Sequence, residues 1–388
     1  MKYLLWVIRI VVGVLFIFSG LVKANDPMGL VYKMLEFLEA LGVDKFADKY
    51  LHIHDLTNYA FYLSIIMIAF EVLCGVAVLI GAAFRFFSVI LLLLNGFFLF
   101  ITAYALFTGT VKECGCFGAC IKISNDATFY KDVVLTSLAI FLLIYRKRVH
   151  PAFHRYPMTA IMILSAFFAV GVQWWTLEHL PFYDCLAYKP GNNLWQKMQV
   201  PTGPGIVADS FTTIMIYEKD GVKKEFTMQN YPWQDSTWKF IDSKSELVRK
   251  GNAEPEIHDF AITDSNKVDR TKDLLTAPGY TFFWFVKDPD KARMDNLDRL
   301  RRIIVQSHKL GINFYIISSG TVEQNNSFLQ RLQLNDVPMY TLDGTVSKTA
   351  MRTNPGLMLL KDGTVQYKWS FRDYPKNIFL DNGKFTYQ

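Results

Sequence analysis

The stretch "RKRVHPAFHR", residues 146–155, sets Arg146, Lys147, Arg148 and Arg155 between two apolar runs, at about 129–145 and 158–177, with no acid among them. A short basic loop between apolar runs stays on the cytoplasmic side of a bilayer. Further runs long enough to approach a span occur at about 4–22, 59–83 and 86–107. The chain therefore reads as five transmembrane helices. Arg85, between the second and third runs, and Lys2 agree with the same orientation: N-terminus cytoplasmic, with residues 24–58, 108–128 and everything after about 178 on the other side. Only the fourth run is short, Val133 to Tyr145, and it borrows turns that include Lys131 and Asp132. A cleaved signal peptide is an alternative for the first run, with Val22 and Ala24 before the cut, but Arg9 interrupts its apolar region and Lys23 sits in the cleavage motif.

The 388 residues are 51% hydrophobic, and the apolar residues concentrate in the first half. A membrane half joined to a soluble half follows. The net charge of +6 sits largely beside apolar spans, which argues for membrane lipids and against nucleic acid as a partner.

Inside the spans, Arg9 and Glu71 are ionisable groups that call for partners or a function. Counted from the cytoplasmic ends they lie roughly 8 Å and roughly 15 Å deep, so an Arg9 to Glu71 pair is expected. It would either fix helix register or mark a proton or quinone site. Gly13, Ser19, Gly20, Gly75 and Gly81 are small residues at helical spacing that let helices approach. The pattern runs Arg9, Gly13, Phe16, Ser19, Gly20, Lys23, then Asp26-Pro27, then Glu71, Gly75 and Gly81, with "CGCFG" (114–118) after the third span. Over roughly residues 1–150 it resembles the DoxX family of four-helix membrane proteins, and its MauE branch in particular. That resemblance implies a redox-associated membrane protein, with maturation of a disulfide-rich partner as one role, and adds Lys23 to Arg9 and Glu71 as intramembrane polar positions.

In the loop 24–58, "VYKMLEFLEALGV" (31–43) repeats apolar residues every three to four positions and reads as an amphipathic helix at the interface. His52 and His54 in "HIHD" suit either solvated surface or metal binding.

Beyond the fifth span, "PFYDCLAYKPGNNLWQKM" (181–198) is an exit segment. Alternation about Asp220-Gly221 in "SFTTIMIYEKDGVKKEFTMQNYP" (210–232) signals a hairpin, and another strand is expected in "TWKFIDSKSELVRKG" (237–251). From about 256, strands and helices alternate: "HDFAIT" and "GYTFFWFVK" as strands, "ARMDNLDRLRRIIVQSHKLG" as a helix, "NFYIISS" as a strand, a helix near "VEQNNSFLQRLQL", and two closing strands about Asp362-Gly363. This order resembles a thioredoxin-like domain of the TlpA and peroxiredoxin-related type. Pro355 falls at its cis-proline, a position that suits binding of an extended peptide or a partner loop. The redox pair is replaced by Asp288, Pro289, Asp290 and Lys291, and no cysteine follows Cys185, so this region performs no dithiol chemistry of its own.

The expected fold is a membrane α-helical bundle, DoxX-like with a fifth transmembrane helix, fused to an α/β thioredoxin-like domain with a small β insert. Its parts are a four-helix membrane domain (1–150), the fifth helix (151–180), the exit segment and β insert (181–255), and the thioredoxin-like domain (256–388).

Cys74 lies in an apolar helix and reads as packing. Cys114, Cys116, Cys120 and Cys185 lie on the oxidising side of a bacterial inner membrane, where thiols pair. Four cysteines allow three complete pairings. Cys114 with Cys116 closes a small, reducible ring and leaves Cys120 for Cys185, whereas Cys114 or Cys116 with Cys120 leaves another thiol for exchange. Structural disulfides, an exchanging redox set and a metal site all remain open. For a metal, three thiolates suit copper(I) but lack a fourth ligand for zinc.

Two functions follow. One is thiol–disulfide exchange or disulfide maturation of periplasmic envelope proteins, with a quinone among the conceivable electron acceptors, as in the fold-level analogy with vitamin K epoxide reductase homologues. The other is a non-enzymatic envelope scaffold that binds a protein partner; a transport role for the intramembrane pair is a weaker third.

Overall fold

The computed structural model describes residues 2–111, 118, 120–121, 123–201, 203, 207, 210–219, 222–227, 237–249, 251 and 254–388. Its first part contains α1 (Lys2–Asn25), α2 (Pro27–Ala40), α3 (Val43–Phe46), α4 (Thr57–Ile80), α5 (Phe84–Thr108), α6 (Asn125–Ile144) and α7 (Arg155–Glu178). Of these, α1, α4, α5, α6 and α7 are long and apolar enough to cross a membrane, which makes this a multi-pass membrane protein. Leu164, Phe167 and Phe168 on α7 are exposed, as side chains facing lipid are.

Helices α1 and α4 pack closest, through glycines. A Cβ on Gly75 would lie 2.8 Å from the Gly13 carbonyl oxygen, and one on Gly13 would lie 2.9 Å from that of Gly75. Only the absence of side chains at both positions allows this approach. Helix α4 ends at Gly81, whose φ of +75° suits glycine.

Helix α2 begins with Asp26 as N-cap, accepting from Gly29 N–H, and Pro27 in the first turn. It buries Val31, Met34 and Phe37 against side chains of α4 and α5, among them Ala60, Met67, Phe98 and Ile101. The amphipathic helix expected in this loop lies between the bundle and the region that follows α7, where Asp26 and Tyr32 bond to Arg352 and Lys287. We call that side the head end.

After α7 the chain forms α8 (Leu194–Lys197) and three antiparallel strands, β1 (Ser210–Lys219), β2 (Val222–Thr227) and β3 (Lys239–Arg249), in the order β2-β1-β3. The hairpin is as the alternation predicts; its turn residues 220 and 221 lie outside the described residues.

Next come α9 (Thr271–Leu275), β4 (Tyr280–Val286), α10 (Leu297–Lys309), β5 (Asn313–Ser318), α11 (Val322–Leu332), β6 (Met339–Thr341), α12 (Gly344–Ala350), β7 (Gly356–Lys361) and β8 (Thr364–Ser370), then a hairpin of β9 (Ile378–Asp381) and β10 (Lys384–Tyr387). The mixed sheet runs β6-β5-β4-β7-β8, with β4, β5 and β6 parallel and β7 and β8 antiparallel. Both faces of β4 are covered, which explains its continuous apolar sequence. Phe282, Trp284 and Val286 pack with Leu300, Ile303 and Phe328 of α10 and α11, while Phe283 and Phe285 pack with Ile257, Phe260, Ile262 and Leu275.

"HDFAIT" is not a strand. Asp259 takes a left-handed backbone (φ 56°), and Phe260 and Ile262 turn into the core, leaving only bridges from Thr263 to Thr341 and Asp269. The exit segment joins this core as well: Tyr188 and Leu194 are buried in it, and Leu194 N–H donates to Gly363 O at 2.9 Å.

Candidate functional site

Two sets of candidate side chains meet at the head end, and a third lies within the helices. The first is sulfur. Cys120 and Cys185 form a disulfide with Cα atoms 4.8 Å apart, joining the segment before α6 to the exit of α7. Cys120 is exposed and Cys185 half-exposed. Cys185 also lines a groove of about 350 Å³ with Tyr188, Glu256, His258 and Asp259. Cys114 and Cys116 lie outside the described residues. Cys74 is a free, buried thiol whose Sγ donates to Phe87 O at 3.5 Å, in keeping with packing.

The second set surrounds Pro355. The Asn354–Pro355 bond is cis and Pro355 is buried. Asn354 ties the end of β4 to this loop: its Oδ1 accepts from Lys287 N–H at 3.0 Å and its Nδ2 donates to Asp288 O at 2.9 Å. The surface expected to be open near Pro355 faces the protein's own α2. Arg352 donates to Asp26 Oδ2 from Nε (3.0 Å) and Nη2 (2.8 Å), with both side chains about nine-tenths buried. Its guanidinium lies 5.5 Å from the Tyr32 ring centroid, within cation–π range. Lys287 Nζ donates to Arg352 O (2.8 Å) and Tyr32 Oη (3.4 Å). Burial, reinforced by the Arg352 and Lys348 charges, lowers the Lys287 pKa to about 7, and burial pushes the Tyr32 phenol up to about 12. Lys291 Nζ makes long, exposed contacts to Asp288 (3.7 Å) and Asp55 (3.8 Å).

Further pairs fix the same junction. Glu178 at the end of α7 accepts from Arg293 (3.3 Å) and Arg372 (2.6 Å), and Lys368 donates to Asp184 at 2.6 Å. None of these pairs is visible in the sequence, because the partners are 115 to 194 positions apart.

The third set corrects an expectation. Arg9 does not pair with Glu71: its Nε and Nη2 donate to the Val78 and Leu79 carbonyls, each at 3.1 Å, near the C-terminus of α4, where carbonyls and helix dipole favour a cation. The antiparallel register fixed by Gly13 and Gly75 puts Arg9 level with that end. Lys23 takes Glu71 instead, donating to both carboxylate oxygens at 2.8 Å and to Ser19 Oγ at 3.1 Å, with its ammonium 4.4 Å from the Phe98 ring centroid. Asn95 of α5 and Asp132 of α6 complete the cluster, each 2% exposed, and Asp132 pairs with Lys131 at 2.8 Å. Sequence reasoning missed Asn95, though an amide in the midst of "LLLLNGFF" (91–98) is a polar signal in an apolar span, and it read Asp132 only as a borrowed turn. The cavity among these groups is about 30 Å³. That is small beside the roughly 150 Å³ cavity known to take a benzene ring.

His54 bonds Asp48 on the surface, and among the described residues no group of three His, Cys, Asp or Glu side chains is placed to hold a metal.

Residues 1–145 match the family model described as methylamine utilisation protein MauE, and residues 211–250 match a domain of unknown function (DUF8463). No curated protein and no solved structure matches the chain.

Proposed function

We propose that this protein is a thiol–disulfide exchange or disulfide-maturation factor of the bacterial envelope, working through Cys114, Cys116, Cys120 and Cys185. In this reading the bundle is DoxX-like with a fifth helix, it lies in the inner membrane, and the head end is periplasmic. The α/β region is thioredoxin-like without its cysteine pair, which the sheet order β6-β5-β4-β7-β8 supports. Its domains divide at about residues 150, 180 and 255.

The observation that carries the proposal is the accessibility of the Cys120–Cys185 bond. A sulfur half-exposed in the wall of a groove is open to an attacking thiolate, whereas a purely structural bond gains nothing from exposure. A substrate thiolate attacks Cys185 Sγ, forming a mixed disulfide and releasing the Cys120 thiolate. The substrate's second thiolate then attacks its own sulfur in the mixed bond, freeing Cys185. The substrate is oxidised by two electrons, and Cys120 and Cys185 are left as thiols. Cys114 and Cys116, within six residues of Cys120, supply a disulfide to reoxidise them and pass the electron pair to an external disulfide oxidant.

A scaffold reading draws instead on the Lys287–Pro355 corner, where Tyr32, Lys348 and Arg352 line a groove of about 400 Å³ beside the Arg352–Asp26 pair. Mixed-disulfide trapping separates the two. Wild-type protein isolated from membranes under acid quench is expected to carry an envelope protein on Cys185, and the Cys120→Ser variant, which has no bond for the substrate thiolate to attack, is expected to carry none. If nothing is trapped, and replacing all four cysteines by serine leaves envelope disulfides normal, the exchange reading fails and the scaffold stands.

A further inference from the structure

Among the buried polar atoms of the helices that have no protein partner are Nδ2 of Asn95 and Oδ2 of Asp132, which face one cavity. Both residues line the 30 Å³ cavity, with Ser19, Lys23, Glu71 and Lys131 as its other polar walls and Leu15, Phe16, Phe98 and Leu135 as its apolar ones. An unpaired donor and an unpaired acceptor across a space of that size are the conditions for a bound water, which needs about 10–15 Å³ and two to four polar partners. We propose that the cavity is a proton-exchange site, in which one water bridges Asn95 to Asp132 and the Asp132 carboxylate takes up and returns the proton.

The choice of Asp132 over Glu71 follows from their bonds. Both Glu71 oxygens already accept from Lys23, so protonating Glu71 would break a buried pair. Asp132 gives one oxygen to Lys131 and turns the other to the cavity. The titratable groups around the water are thus Lys23 from α1, Glu71 from α4, and Lys131 and Asp132 from α6, two of each sign. Lys131 is a quarter exposed, while Lys23, Glu71 and Asp132 are almost fully enclosed. Exchange with solvent therefore runs past Lys131, close to the start of α6 and so to the head end. In uptake, the bridging water gives its proton to Asp132 and is reprotonated from solvent; release reverses this. No electron moves and no co-reactant is needed. An ionisable group at membrane depth is a functional site by default, and here the ligand class is water and a proton.

Infrared difference spectra of the full chain in phosphatidylcholine nanodiscs, between about pH 8 and about pH 4, test this. The wild type is expected to show a buried carboxylic-acid band that grows on acidification and shifts in heavy water. That band disappears in Asp132→Asn. It persists but moves in Asn95→Leu, where the water loses its donor. Absence of such a band from the wild type overturns the proposal, as does its survival in Asp132→Asn. Should Asp132→Asn fail to fold, Asn95→Leu decides: an unmoved band with a higher unfolding temperature means the cavity is dry, and the proposal falls.

Discussion

At the head end of the bundle, the Cys120–Cys185 corner and the Lys287–Pro355 corner occupy comparable positions, each joining the helices to the α/β region, yet only the first exposes reactive atoms. In the first corner a disulfide stands half-open beside a groove. In the second, Asp26 and Tyr32 of α2 occupy the surface in front of the cis-proline loop and bond to Arg352 and Lys287. On the proposed reading the two corners divide the work: sulfur chemistry falls to the segment between α5 and α6 with Cys185, while ion pairs hold the α/β region down. Its residues 288–291 carry no thiol, so that face has no dithiol chemistry to offer.

The comparison breaks most readily at the sulfur. Replacing Cys120 and Cys185 together by serine should abolish exchange and lower stability by about 2–4 kcal/mol, since the bond closes a long loop. Chemical denaturation of the variant in detergent measures the second effect; unchanged stability with retained exchange would contradict the division of work.

Arg352→Met should open the other corner, leaving the Asp26 carboxylate without its cation in a mostly dry junction, at a loss of about 1–3 kcal/mol. Hydrogen exchange is expected to rise in residues 26–40 and 352–355 while thiol exchange stays intact. A loss of thiol exchange would show that the two corners are coupled.

Lys287 sharpens the same corner through pH. Its folded-state pKa of about 7 lies below the ordinary value of 10.5, so between those values the unfolded chain binds more protons than the folded one. Stability should therefore rise as pH increases from about 7, and the penalty of charging the enclosed ammonium is fully present below it. Unfolding temperatures measured across that window should climb in the wild type and lose this rise in Lys287→Met. The smallest effect belongs to Lys291→Ala: its exposed contact to Asp55 predicts a change under about 1 kcal/mol, within the error of most unfolding assays.

Much of this architecture was legible from residues alone because hydropathy and periodicity are local properties. The five membrane helices, the strands flanking Asp220-Gly221 and the buried β4 follow from them. What was illegible depends on register and distance. Arg9 and Lys23 both lie on α1, and only the Gly13–Gly75 contact decides which of them meets Glu71. Asp26 and Arg352 are separated by 326 positions, and no local pattern joins them. "HDFAIT" alternates like a strand, but its apolar residues serve a sheet face and not a sheet edge.

The central claim is that the cysteines between α5 and α6, together with Cys185, form a cycling set. Differential alkylation with mass-spectrometric mapping of the four sulfurs, on protein taken from its native membrane before and after an oxidant–reductant cycle, tests it most directly. The account predicts a Cys120–Cys185 bond that opens and re-forms, with Cys114 and Cys116 changing state in step. A Cys120–Cys185 bond that never opens, beside Cys114 and Cys116 locked in one state throughout, would contradict it.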